Sequence, residues 1–136
     1  MKAMMRIATL ALLALLSACG TTSGKSAQQS TLSEYAAAIR WGEFDRAQDF
    51  VDPVHRQEHP ITDLDRERFK HMQVSGYEVK HASMTPDGGL QQTVEIRVIN
   101  KLTQSERTLT DRQTWRWDEA GKRLWLTSGL PDFSQP

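Results

Sequence analysis

The sequence predicts a single α+β domain in which N-terminal helices pack on a curved, four-stranded antiparallel sheet. Three observations lead to this prediction. Apolar residues recur with a helical period up to about residue 73 and with a period of two from Gly76 onward. Turn-forming residues, Pro86–Gly89 and Glu119–Lys122, separate the later segments. All predicted helices precede all predicted strands, which favours an α+β domain over repeated βαβ units.

The first helix is predicted to start at Thr31. Thr31 and Glu34 have the spacing of a capping box, in which the two side chains satisfy the first free amides of a helix. One helical face then carries Leu32, Tyr35, Ala36 and Ile39, and Gly42 can end the helix. Residues 20–30, before this helix, are rich in Ser, Thr, Gly and Gln and predict a flexible tether.

Two further helices are expected before the sheet. The first covers residues 43–51 and stops at Asp52 and Pro53. Residues 55–60 are polar and bounded by prolines, so we expect a loop there. The next helix starts at residue 62 or 63 and reaches about residue 73. Three of its apolar side chains are predicted to face inward, Leu64, Phe69 and Met72.

Four strands joined by short turns are predicted to form an antiparallel meander with one packed face. They cover residues 77–84, 90–100, 107–117 and 123–127. The second strand has the clearest alternation, with its inward face formed by Leu90, Gln92, Val94, Ile96 and Val98. The domain is therefore expected to cover residues 31–136.

The N-terminal residues have the pattern of an export signal. Lys2 and Arg6 precede an apolar run over residues 7–16, and no acidic residue occurs before Glu34. The run is shorter than the roughly 20 residues that a membrane-spanning helix needs. Residues 1–18 are therefore predicted to be a signal peptide.

Leu16-Ser17-Ala18-Cys19, which ends this segment, resembles the lipobox of bacterial lipoproteins. The resemblance implies that Cys19, the only cysteine of the chain, is acylated and becomes the first residue of the mature protein. Several acyl chains on one residue would anchor the chain stably to membrane lipid. Gly20 follows the cysteine, where an aspartate would favour the inner membrane. The resemblance thus implies an outer-membrane location facing the periplasm.

A second resemblance covers most of residues 32–133. The segment YAAAIRWGEFDRAQDFVDP, followed by another helix and a sheet with a Trp- and Leu-rich last pair of strands, is similar to the nuclear-transport-factor-two-like (cystatin-like) superfamily. It implies a cone-shaped sheet with helices on its inner face. The superfamily contains enzymes, binding proteins and scaffolds, so the resemblance leaves the function open.

The third strand carries the candidate pocket. Leu109, Asp111, Gln113, Trp115 and Trp117 share one face of it, so an acid and an amide lie among apolar side chains. Asp111, Gln113 and Trp115 would line a pocket if the inner face is open, and a buried Asp111 with a raised pKa would suit proton abstraction. The alternative is that the sheet ends in solvent near Asp111.

Trp125 and Phe133 are the candidate partner surface. Trp125 lies on the opposite face of the last strand from Leu124 and Leu126, so either a neighbouring segment covers it or it is exposed. An exposed aromatic patch that includes Phe133 would mark a protein-binding surface.

Other classes of function find less support. The 17 basic and 17 acidic residues balance, which argues against nucleic acid as a partner. His55 and His59 have a spacing that can share a metal on a helix, but the predicted loop argues against a metal site. No cofactor is predicted, because the sequence has neither a phosphate-binding glycine loop nor a nucleophile motif.

The expected function is therefore a membrane-anchored, non-catalytic binding or assembly module of the cell envelope. Two alternatives remain. One is a small enzyme or ligand binder that uses the inner sheet face around Asp111. The other is a protein that binds one specific partner, such as an inhibitor of a secreted toxin.

Overall fold

The structure, a computed structural model, describes the backbone of residues 20–135 and the side chains from residue 24 onward. The predicted signal peptide and Cys19 lie outside the described residues. Within them, helices α1 (Gly20–Arg40), α2 (Phe44–Gln48), α3 (Pro53–Glu58) and α4 (Asp63–Lys70) precede strands β1 (Met72–Met84), β2 (Leu90–Asn100), β3 (Glu106–Asp118) and β4 (Arg123–Leu126). The sheet has the order β1-β2-β3-β4 with antiparallel neighbours. The predicted α+β class and the four-stranded meander are confirmed.

Helix α1 begins at Gly20, so the prediction of a flexible tether over residues 20–30 is wrong. Thr31 does not cap the helix. Its hydroxyl donates to the Ala27 carbonyl at 3.0 Å, and the Ser30 hydroxyl donates to Glu34 at 2.8 Å. Such bonds to a residue one turn away let Ser and Thr lie inside a helix, although their sequence pattern resembles a cap.

Helix α3 occupies most of the segment predicted as a loop. Asp52 caps its start by accepting a hydrogen bond from the Val54 amide at 3.0 Å, and Pro53 is its first residue. Proline is well suited to this position, because an amide at the first helical position has no partner within the helix. Pro53 therefore starts α3, whereas α2 already ends at Gln48 with Asp49 as its C-cap, short of the predicted end at residue 51.

Helix α4 begins as predicted, at Asp63, and its capping box is formed by Thr62 and Asp65. It ends at Lys70, because Met72 and Gln73 already belong to β1. Leu64 is 61% exposed, so its predicted inward orientation is wrong, whereas Phe69 is partly buried against the core.

Two irregularities in β1 decide which of its side chains face inward. One extra residue lies between Val74 and Gly76 and another between Val79 and His81, relative to the pairing with β2. Each extra residue shifts the alternation by one position. The side chains that pair with the inward residues of β2 are consequently Tyr77, Val79, Ala82 and Met84, which pair with Ile96, Val94, Gln92 and Leu90.

The hydrophobic core lies between this inner face and the helices. Its helical contributions come from the second half of α1 (Tyr35, Ala38 and Ile39) and from Phe44 and Ala47 of α2. Residues 50–52 run beside β4, where the Leu126 amide donates to the Phe50 carbonyl at 2.8 Å and the Asp52 amide donates to the Leu126 carbonyl at 2.9 Å. This segment covers the β4 edge of the sheet.

Candidate functional site

The side chain of Gln113 is the centre of a polar network on the inner face. It is 1% exposed. Its Oε1 accepts hydrogen bonds from Gln92 Nε2 at 2.7 Å and from Trp115 Nε1 at 3.2 Å. Its Nε2 donates to the Tyr77 hydroxyl at 3.1 Å and to Asp111 Oδ2 at 2.7 Å. A primary amide offers two donors and two acceptor sites, so Gln113 is fully satisfied and fixed in place.

The titratable groups of this network are shifted toward their uncharged forms. Burial raises the pKa of Asp111 to about 6, and the hydrogen bond from Gln113 opposes that shift. Burial raises the pKa of Tyr77 to about 12. Burial, with the nearby Asp111 carboxylate as a second cause, raises the pKa of Tyr35 well above its usual value. Asp111 is therefore the only one of the three that changes its protonation state near neutral pH.

Tyr35 holds the one polar atom of this region that lacks a partner. Its hydroxyl is buried and has no hydrogen bond to any described residue, while its ring contacts Trp115 edge-on at a centroid distance of 5.0 Å. An ordered water is the usual partner of such a group. The packing of Tyr35 and Trp115 closes the inner face on its β3 side.

A groove opens on the β1 side of the inner face, between the first half of α1 and residues 79–84 of β1, in the same cross-strand rows as Asp111, Gln113 and Trp115. Its volume is about 630 Å³, within the range typical of small-molecule sites. Its lining includes an apolar set: Leu32, Ala36, Val79, Ala82, Met84, Leu90 and Leu124. Gln92 and Tyr77 also line it, and both bond to Gln113 behind them.

The structure therefore brings the predicted pocket residues together but places them behind the groove. Asp111, Gln113 and Trp115 are not among the residues that line it. Gln113 and Trp115 are buried, and Asp111 is partly buried. A ligand in the groove would contact Gln92 and Tyr77. These two side chains are hydrogen-bonded to Gln113, which lies behind them.

A polar contact lies at each end of the groove. Gln28 Nε2 donates to the Gly88 carbonyl at 3.0 Å, which ties α1 to the β1–β2 turn. The Arg40 guanidinium donates to the Tyr77 carbonyl at 3.1 Å and lies 5.5 Å from the centroid of the Tyr77 ring. Among the described residues, Lys25 and Arg40 are the charged members of the lining, which includes no acidic residue.

The predicted partner surface is not an exposed aromatic patch. Phe133 is 5% exposed and packs against the rings of Phe44 and Phe69, at centroid distances of 5.0 and 6.0 Å. Trp125 is partly buried. The Arg123 guanidinium lies over its ring at 3.8 Å from the centroid, and its indole nitrogen donates to Asp118. Of the two alternatives for this region, an exposed aromatic surface that includes Phe133 is therefore not the one the structure shows.

His55 and His59 lie one turn apart, with His59 as the residue that ends α3. Their rings stack at a centroid distance of 4.4 Å with an interplanar angle of 22°. Gly129, at φ +78°, lets the backbone pass close to His55, because a Cβ there would lie 2.4 Å from Nε2. Among the described residues, no group of three or more His, Cys, Asp or Glu is arranged to hold a metal ion.

Sequence reasoning missed two features. The first is Trp41, a large aromatic side chain that is 81% exposed. It directly follows α1, where Gly42 has φ +71° and the Glu43 amide donates to the Ala38 carbonyl. The second is the groove itself. Its exposed apolar residues Val79 and Met84 have opposite parity in the sequence, and only the extra residue after Val79 brings them to one face.

Comparisons with known proteins identify no family for this chain. No family model, no curated protein and no solved structure matches the chain. No described helix is both long enough and apolar enough to cross a membrane.

Proposed function

We propose that the protein is an exported lipoprotein, anchored through acylated Cys19 to the outer membrane, whose periplasmic domain is a non-catalytic binding module. The observation that carries the proposal is the sequence Leu16-Ser17-Ala18-Cys19 behind a basic and then apolar leader. Stable anchoring is what several acyl chains at one residue provide.

The start of α1 supports a domain held close to the membrane. Because α1 begins at Gly20, a helix rather than a coil follows the proposed anchor. Lys25 is six residues from Cys19, about 9 Å along a helix. The first half of α1 and its groove would thus lie within a short distance of the lipid headgroups.

Binding is favoured over catalysis by the arrangement of the inner face. Asp111 is the carboxyl with a pKa near neutrality, but it does not line the groove, and its neighbour Gln113 is saturated by protein partners. A general base must reach the proton that it removes. Proton abstraction by Asp111 remains the second candidate function, favoured by its pKa of about 6.

The anchor is tested with Cys19→Ser, with Ser17→Ala as the matched control. Both substitutions are nearly isosteric, but only the first removes the thiol that would be acylated. We expect Cys19→Ser to lose incorporation of labelled fatty acid and to leave the membrane fraction, while Ser17→Ala behaves as the parent. If Cys19→Ser stays membrane-bound and acyl-labelled to the parent's extent, the proposal is wrong.

A further inference from the structure

The groove between α1 and β1 exposes apolar side chains that the fold leaves uncovered. Met84 is 59% exposed and Val79 is 48% exposed, and both line the groove. The helix above them contributes Leu32 and Ala36 to the opposite wall. None of the residues 24–34 of α1 is fully buried, and Leu32 is partly buried against the core. An apolar ligand would remove these surfaces from water, which is favourable in proportion to their area.

The charged side chains of the groove favour an anionic ligand. Its two charged groups, Lys25 and Arg40, are cations, whereas its amide and hydroxyl groups can donate or accept hydrogen bonds. Arg40 is already engaged by the carbonyl and ring of Tyr77. Lys25 has no ion pair or hydrogen bond with any described residue. A lining with cations and no acid is complementary to an anion.

Two buried polar side chains form part of the floor. Gln92 and Tyr77 are each less than a tenth exposed, and both line the groove. Gln113 holds their inner atoms, Gln92 Nε2 and the Tyr77 hydroxyl. The floor is therefore rigid, which limits the loss of side-chain freedom when a ligand binds.

From these three observations we propose that the groove binds a free, single-chain anionic amphiphile of the fatty-acid type. The acyl chain lies along Leu32, Val79 and Met84, and the carboxylate is held at the Lys25 end. The groove is long enough for such a chain, because the fifteen-residue step from Lys25 to Arg40 spans about 22 Å of helix. This inference rests on the proposed binding role but not on lipid attachment at Cys19.

Photo-crosslinking to the full-length Cys19→Ser chain tests the site. This variant cannot carry acyl chains on residue 19, so a crosslink can come only from the supplied probe, a sixteen-carbon fatty acid with a diazirine near its methyl end. We expect crosslinks in the peptides that contain Leu32–Ala36 and Val79–Leu90. Equal labelling of Leu64 and Leu102, which are exposed apolar residues outside the groove, would overturn the proposal.

Affinity measurements on the same chain test the two halves of the ligand. Met84→Glu should weaken binding of the unmodified fatty acid at least tenfold, while the matched change Leu102→Glu, outside the groove, stays within twofold. Each pair of methylenes removed from the chain should cost about tenfold. Lys25→Gln should weaken binding of the acid at least threefold and leave binding of the corresponding alcohol unchanged.

The outcomes separate this inference from the proposed anchor. Similar losses for Met84→Glu and Leu102→Glu, or equal binding of the alcohol and the acid, would contradict the inference and leave the lipoprotein proposal intact. Equal competition by a two-chain anionic phospholipid would contradict the single-chain class. Retained acylation of the Cys19→Ser chain would contradict the anchor and leave the groove's ligand class intact.

Discussion

The two halves of helix α1 face the same sheet but pack against it differently. In the second half, Tyr35, Ala38 and Ile39 are fully buried against the inner face, and Trp115 contacts Tyr35 edge-on. In the first half, no side chain from residue 24 to 34 is buried. One continuous helix thus serves two purposes. Its second half stabilises the domain, and its first half forms one wall of a groove.

The two edges of the sheet differ in the same way. Residues 50–52 pair with Leu126 and cover the β4 edge. Residues 78–84 of β1 are all exposed. Stability is therefore concentrated on the β3–β4 side, and the β1 side has surface available for a ligand. Regions that bind ligands commonly lie in the less stable part of a fold.

The largest expected effect comes from breaking the packed half of α1. Ala38→Pro removes an amide donor within the helix and places a ring against the Glu34 carbonyl. Because Tyr35 and Ile39 would shift with the helix, we expect no cooperative unfolding transition in urea, followed by tryptophan fluorescence and far-UV circular dichroism. Ala27→Pro is the matched control in the open half.

Ala27→Pro should shorten the helix but lower the free energy of unfolding by less than about 1 kcal/mol, because no residue before Tyr35 in α1 is fully buried and the helix can restart at residue 27. Comparable destabilisation by both prolines would show that the two halves are equally important to the fold. It would also remove the basis for treating the groove as separate from the core.

A smaller but still large effect is expected at Trp115. It is 1% exposed, and its indole nitrogen donates to Gln113. Trp115→Ala removes the ring on which Tyr35 packs and one partner of the saturated amide, so we expect a loss of about 3–5 kcal/mol in the free energy of unfolding. Trp41→Ala, at an exposed position, should cost less than about 0.5 kcal/mol. A loss at Trp41 that matches the loss at Trp115 would contradict the exposure of Trp41.

The difference between the two regions also explains what the sequence could predict. Strand β2 has the predicted bounds, Leu90–Asn100, because five alternating inward residues follow a turn-forming segment. The start of α1 was not predictable from Thr31 and Glu34, because the same pattern occurs inside a helix when Thr31 bonds back to Ala27. A short sequence pattern predicts the hydrogen bonds of its segment only when a single local conformation can satisfy those residues.

The candidate site was predictable in part. Periodicity places Asp111, Gln113 and Trp115 on one inward face, and the structure joins them in one network. Periodicity could not reveal the groove. Regular alternation would place Val79 and Met84 on opposite faces, and pairing with β2 introduces the extra residue that aligns them. That irregularity depends on tertiary contacts, which a single strand sequence does not encode.

The smallest of these effects is a pH dependence at Asp111. Burial raises its folded pKa to about 6, above the ordinary value of 3.8. Between these two values the folded state binds more protons than the unfolded state, so the contribution of Asp111 to stability falls as the pH rises through this range. The full shift corresponds to about 3 kcal/mol, an upper bound because Asp111 is only partly buried. Asp111→Asn keeps an acceptor for Gln113 and removes the titration.

We therefore expect the free energy of unfolding of Asp111→Asn, relative to the parent, to increase as the pH rises from 4 to 7, measured by urea unfolding at each pH. Asp132→Asn is the control of opposite sign, because the hydrogen bond from Ser134 lowers the pKa of Asp132. Its stability relative to the parent should decrease slightly as the pH rises over the carboxyl range. A pH-independent difference for Asp111→Asn would mean that water reaches this carboxyl freely, and the β3 side of the inner face would then be as open as the groove.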